Sequence, residues 1–103
     1  MRPNFITHHN ITAKAVFLTG GNNKNIDNKI VCIENADPGF DWIFSHNIKG
    51  LITKYGGIAS HMSIRCAEFD LPAAIGCGDK IFNGAVTCNK VNLDCANKKI
   101  RGI

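Results

Sequence analysis

Two adjacent glycines, Gly56 and Gly57, stand between an apolar run and a segment of helical spacing. Gly50 to Thr53 leads into the pair, Ser60 and His61 open the segment behind it, and Leu71-Pro72 closes that segment. Strand, glycine turn and helix start in this order gather backbone N–H groups without helical partners beside a partial positive charge of roughly +0.5. Glycine admits backbone angles closed to other residues and lets the main chain come close to a ligand. A junction of this kind can hold an anionic group.

The side chains at the junction add chemistry. Ser60 and Ser63 supply hydroxyls, and His61 supplies an imidazole that is nucleophilic when neutral. Attack of such a nitrogen on phosphorus forms a phosphoramidate, with amides and hydroxyls placed to stabilise the equatorial oxygens. Taken from spacing alone, the same histidine reads either as a phosphate-handling group or as an exposed polar residue at a helix start. Both readings stand at this point.

The rest of the chain reads as strands with two helices between them. Residues 1–12 are polar and are expected as a leader, and Ala13 to Leu18 as the first strand. Thr19 to Asn28, rich in Gly, Asn and Lys, is a loop, and Lys29 to Glu34 is a buried strand. Asp37 as cap and Pro38 at the first helical position begin a helix that ends near His46, with Phe40, Ile43 and Phe44 toward the core and Trp42 on a flank. Ile48 to Thr53 is a strand. Ser60 to Phe69 is a helix with Met62, Cys66 and Phe69 on one face. Ala73 to Ile75 is a short strand, Asp79 to Phe82 a helical turn, and Asn83-Gly84 a turn. Ala85 to Cys88, Lys90 to Leu93 and Lys98 to Ile103 complete the strands. The expectation is one compact α/β domain over residues 13–103.

Composition narrows the partners. A chain of 103 residues, 45% hydrophobic, suits one small globular domain. Its net charge of +4 comes from lysines scattered among asparagines, without a basic stripe interleaved with aromatics. That is a solvated surface rather than a nucleic-acid face. The five cysteines form no Cys-x-x-Cys pair and suit reduced, packed thiols in a cytoplasmic protein. Met1 to Asn10 lacks the apolar core of a signal peptide, and no apolar run approaches the ~20 residues of a membrane span. His8-His9 has no third ligand at a useful spacing, and in a strand the two rings point to opposite faces, so no metal site is expected. Nor does a glycine-rich loop followed by Lys-Ser/Thr offer a nucleotide site of the chain's own.

Gly56-Gly57-Ile58-Ala59-Ser60-His61, then Ile64, Ala67-Glu68, Leu71-Pro72-Ala73-Ala74-Ile75-Gly76 and Gly78, resembles the phosphohistidine signature of phosphoenolpyruvate-utilising enzymes. That family includes phosphoenolpyruvate synthase, pyruvate phosphate dikinase and enzyme I of the sugar phosphotransferase system. The resemblance implies a swivelling β/β/α domain, a mobile carrier of transferases and kinases, whose histidine ferries a phosphoryl group between distant sites. His61 would be the phosphorylated residue. Gly56, Gly57, Ser60 and Ser63 would cradle the phosphoryl group, with Arg65, Glu68 and Cys77 as accessory positions. The domain itself would bind no cofactor. Mg²⁺ and ATP or phosphoenolpyruvate would belong to partner domains, on the same or a separate chain, with a pyruvate-type acceptor. Two positions depart from the signature: the threonine two residues before the histidine is Ala59, and the arginine six residues after it is Ala67. Arg65 lies about 200° around the helix from that second position. A homologue that keeps the fold but not the transfer is the alternative these departures raise.

Overall fold

The computed structural model describes residues 3–18, 25–35, 38–57 and 60–103. Seven strands form one sheet: β1 (Asn4–Ile6), β2 (Asn10–Phe17), β3 (Ile30–Asn35), β4 (Gly50–Tyr55), β5 (Ala73–Ile75), β6 (Lys90–Asp94) and β7 (Lys99–Gly102). Their order across the sheet is β1-β5-β4-β3-β2-β6-β7. The inner strands β5, β4, β3 and β2 run parallel. The flanking strands β1, β6 and β7 pair antiparallel. An eight-residue 3₁₀ helix (Pro38–Ser45) precedes β4, α1 (His61–Glu68) precedes β5, and α2 (Gly78–Val86) follows it.

The central parallel strands β3, β4 and β5 carry continuous buried stretches, Ile30 to Ile33, Gly50 to Thr53 and Ala73 to Ile75, because both of their faces are covered. Alternation within each run divides the core in two. Val31, Ile33, Leu51, Ala73 and Ile75 face one side, with Ile43 of the 3₁₀ helix and Met62 and Cys66 of α1. Ile30, Cys32, Ile52 and Ala74 face the other, with Phe82 and Ala85 of α2 and Val91 and Leu93 of β6. In β6 the pattern changes to an exposed Lys90, buried Val91, half-buried Asn92 and buried Leu93, as an antiparallel strand with one covered face requires. The expected α/β architecture is present as helices on both sides of a mixed sheet.

Several elements differ from expectation. Asn4–Ile6 pairs with Ala73–Ile75, and Asn10 to Thr12 pairs with Asn92 to Asp94, so much of the polar segment expected as a leader belongs to the sheet. The segment after Pro38 is a 3₁₀ helix rather than an α-helix. Its threefold repeat sets Phe40 and Ile43 in one row and Asp41 and Phe44 in the next. The proposed cap Asp37 lies outside the described residues, as do Ile58 and Ala59. The region expected as a helical turn, an Asn83-Gly84 turn and a strand is the nine-residue α2. Phe82 and Ala85, three residues apart, bury against the sheet, and that packing overrides the local turn signal. Phe69 is 52% exposed instead of joining Met62 and Cys66 inside. It is the residue where α1 ends, and its ring stacks on Phe44 at 5.6 Å.

Candidate functional site

β4 and β5 end side by side, and both continue into loops that begin with glycine: Gly56-Gly57 after β4 and Gly76-Cys77-Gly78 after β5. Loops at the carboxyl ends of parallel strands are where open α/β sheets bind ligands. Thr53, fully buried in β4, joins them: its Oγ1 accepts from the Gly76 N–H at 2.9 Å and its carbonyl accepts from the Cys77 N–H at 2.9 Å. Gly56 and Gly76 both have positive φ, 124° and 74°. A Cβ on Gly76 would collide with the carbonyl oxygen of Gly56. The two glycine loops are thus packed backbone against backbone. Gly57 is exposed with open space beside its Cα.

His61 is the first residue of α1. Ser60 caps the helix in extended conformation, and its Oγ accepts from the Ser63 N–H at 3.3 Å. This cap satisfies one of the N–H groups that the first turn leaves open. Met62 and Cys66 anchor the opposite side of the helix in the core, which turns His61 outward with 44% of its side chain exposed. Ser63 is 2% exposed and faces inward. Of the two hydroxyls expected near a phosphoryl group, Ser60 therefore lies at the half-buried rim and Ser63 lies in the interior.

Asp41 completes this surface. Its Oδ1 accepts from His61 Nε2 at 2.9 Å and from Arg65 Nε at 3.2 Å. The hydrogen bond from His61, with the nearby guanidinium and imidazole, holds the Asp41 carboxyl below its ordinary range. Arg65 also lies 3.8 Å from Glu68, and its guanidinium stands 5.5 Å from the Phe44 ring and 4.9 Å from the Phe69 ring. One turn along α1 separates His61 from Arg65, so both project onto the face that meets the 3₁₀ helix. Arg65 thus reaches the imidazole's neighbour even though it is remote from the position of Ala67. Glu68 connects to this group through Arg65.

A second polar group lies at the same end of the sheet. Lys54 Nζ pairs with Asp79 Oδ1 at 3.0 Å and with Glu34 Oε2 at 3.5 Å, and Tyr55 Oη donates to Asp79 at 3.3 Å. The hydrogen bond with Asp79 raises Lys54 and lowers Asp79 from their ordinary values. Asp79 also sits in the first turn of α2, where a negative charge complements the helix. Cys77 is buried, with its Sγ 3.6 Å from the Ala74 carbonyl oxygen, and burial pushes its thiol up to about 12. A thiol kept protonated in this way is a packing group rather than a nucleophile.

Asp41 is the site residue that sequence reasoning missed. It lies 20 residues before His61 in a segment whose spacing marked only apolar positions, and no motif points to it. His9, by contrast, pairs with Asp70 at 2.8 Å, and no cluster of three or more His, Cys, Asp or Glu side chains suited to a metal ion occurs among the described residues. No helix among those residues is long and apolar enough to cross a membrane.

Residues 26–98 match the family described as the mobile domain of PEP-utilising enzymes. A 50-residue stretch, 48% of the chain, is 38% identical to rifampicin phosphotransferase of Bacillus cereus and corresponds to 6% of that protein's length. The family match takes in the Gly-Gly turn, all of α1 and α2, and the sheet from β3 to β6. By that match, the chain belongs to the family of PEP-utilising enzyme mobile domains.

Proposed function

We propose that this chain is a phosphoryl carrier in which His61 is transiently phosphorylated. It takes the group from an ATP or phosphoenolpyruvate site on one partner domain and delivers it to a pyruvate-type acceptor site on another. The observation that carries this reading is the placement of His61: an exposed imidazole on the first residue of a capped helix, beside the Gly-Gly turn and within the family match. An imidazole so placed stands at the surface, where a partner's site can approach it. In this reading the exposed Gly56 and Gly57 backbone and the Ser60 hydroxyl border the phosphoryl oxygens. Mg²⁺ and nucleotide act from the partner side, and the domain moves as a swivelling β/β/α body. The name of the Bacillus cereus relative adds a rifampicin-type acceptor to the acceptors that should be tried.

The test is incubation of the chain with ATP or phosphoenolpyruvate and the partner domains of a PEP-utilising enzyme, followed by intact-mass measurement. The expected result is an acid-labile gain of one phosphoryl group that disappears in His61→Ala. Retention of the label in that variant overturns the assignment of His61. Partner binding without any labelling overturns transfer itself and leaves a binding homologue.

A further inference from the structure

The contact between Asp41 and His61 has a chemical consequence for the proposed carrier step. A carboxylate accepts hydrogen bonds and cannot donate them, so at 2.9 Å the Nε2 of His61 must carry its proton. While the contact holds, that nitrogen has no lone pair to offer phosphorus. The same carboxylate oxygen takes the Arg65 Nε–H at 3.2 Å. One anionic oxygen therefore occupies two donors at once, and one of them, the Arg65 guanidinium, is a cation that a phosphoryl group on Nε2 would also draw on.

We infer that Asp41 is a placeholder for the phosphoryl group, a latch that holds His61 Nε2 and Arg65 in the unphosphorylated domain and gives both up when that group arrives. This inference rests on the carrier reading above. A phosphoryl group on nitrogen brings nearly two negative charges and three acceptor oxygens to the place where Asp41 already stands. The two anions repel, and Arg65 is the cation they share. The guanidinium need not move far to change partners, because the rings of Phe44 and Phe69 hold it from their own side. Its planar fork also suits phosphoryl oxygens. Arg65 would then supply, from one turn beyond the histidine, the cation that Ala67 does not. Release of Asp41 removes a link between the 3₁₀ helix and α1, so the phosphorylated and unphosphorylated domains present different faces to a partner.

Phosphoramidate tests this without a partner protein. Its P–N bond breaks, an N–P bond to imidazole forms, and ammonia leaves with the proton the imidazole gives up. Because the neutral ring keeps a lone pair on Nδ1 while Nε2 is held, the rate is read for the Nε2 adduct of His61 alone. ¹H–¹⁵N correlation of the ring nitrogens separates it from the Nδ1 adduct, with His46 in the same molecule as the internal reference. Asp41→Asn and Asp41→Ala are expected to speed phosphorylation at His61 about two- to fivefold, the range that coupling in an exposed ion pair permits, with His46 unchanged. Arg65→Gln is expected to slow it by a similar factor and to shorten the life of the phosphohistidine. An unchanged or slower rate in both Asp41 variants overturns the latch and makes Asp41 an orienting acceptor. Phosphoramidate reacts with any accessible imidazole, so this outcome is separate from failure of the carrier reading, which shows instead as no labelling by partner domains.

Discussion

Gly76 combines two constraints at one residue. Its φ of 74° lies where side chains are strained, and a Cβ there would meet the Gly56 carbonyl. That contact is with backbone, not with a flexible side chain that could turn away. Gly76→Ala is therefore expected to destabilise the fold by about 1–3 kcal/mol. At about 4–8 °C per kcal/mol for a domain of this size, thermal melting would register it clearly. Cys77, the next residue, shows how burial decides thiol chemistry: its thiol, like those of Cys32 and Cys66, is raised to about 12 chiefly by desolvation. Cys95 is also buried, whereas Cys88 is only half-buried. Titration of the native protein with a thiol-reactive dye should therefore label Cys88 alone, and all five cysteines should react after denaturation. Rapid native labelling of Cys77 would contradict its packing role. The placement of His61 at the start of a capped helix was legible in the sequence because glycine pair, cap and imidazole lie within six residues there. Asp41 was not, because its role comes from a tertiary contact across 20 residues.

The elements show the same division between local and long-range information. The buried parallel strands were legible because residues such as Ile30 to Ile33 form apolar runs too short for a helix. The cap at Ser60 was legible for the same local reason. Ser60→Ala should remove the hydrogen bond to the Ser63 N–H and cost about 1 kcal/mol, with Ser60→Asp restoring most of it in a denaturant titration. The extent of α2 was not legible. Asn83-Gly84 is a strong turn signal in isolation, and only the burial of Phe82 and Ala85 against the sheet makes it helical. Gly84 consequently sits inside a helix, exposed and with nothing within 4 Å of an added Cβ. Gly84→Ala is expected to stabilise the protein by about 0.5–1 kcal/mol, since alanine lacks glycine's entropy cost in a helix. In the Asn83-Gly84 turn that the local pattern suggested, where glycine's freedom is put to use, the same change would yield no such gain.

Across the whole molecule, ionisable groups set the limits of pH within which the two-sided core persists. Asp41, Asp79 and Asp94 are all held below their ordinary value of 3.8, each chiefly by a side-chain hydrogen bond, from His61, Lys54 and Asn97 respectively. A depressed carboxyl in the folded state means that the unfolded chain takes up protons first as pH falls. Their contribution is therefore present above about pH 4 and is lost below it. The alkaline side has the opposite origin. Cys32, Cys66 and Cys77 ionise near 9.0 when unfolded but only at about 12 in the core, so the unfolded chain loses protons first as pH rises above 9. Lys54, raised above 10.5 by Asp79, adds to the same loss at higher pH. Cys32 lies between β2 and β4, and Cys66 joins α1 to the opposite face of the sheet, so ionisation of either disrupts a separate half of the core. Unfolding free energy measured in denaturant should be level between about pH 4 and 9 and should fall on both sides. Blocking the thiols is no control, because a bulky adduct would not fit the core. Cys32→Ala serves instead: it lowers stability at neutral pH by leaving a cavity, yet it should make the decline above pH 9 shallower. An equally steep alkaline decline in that variant would show that the thiol of Cys32 does not set the limit.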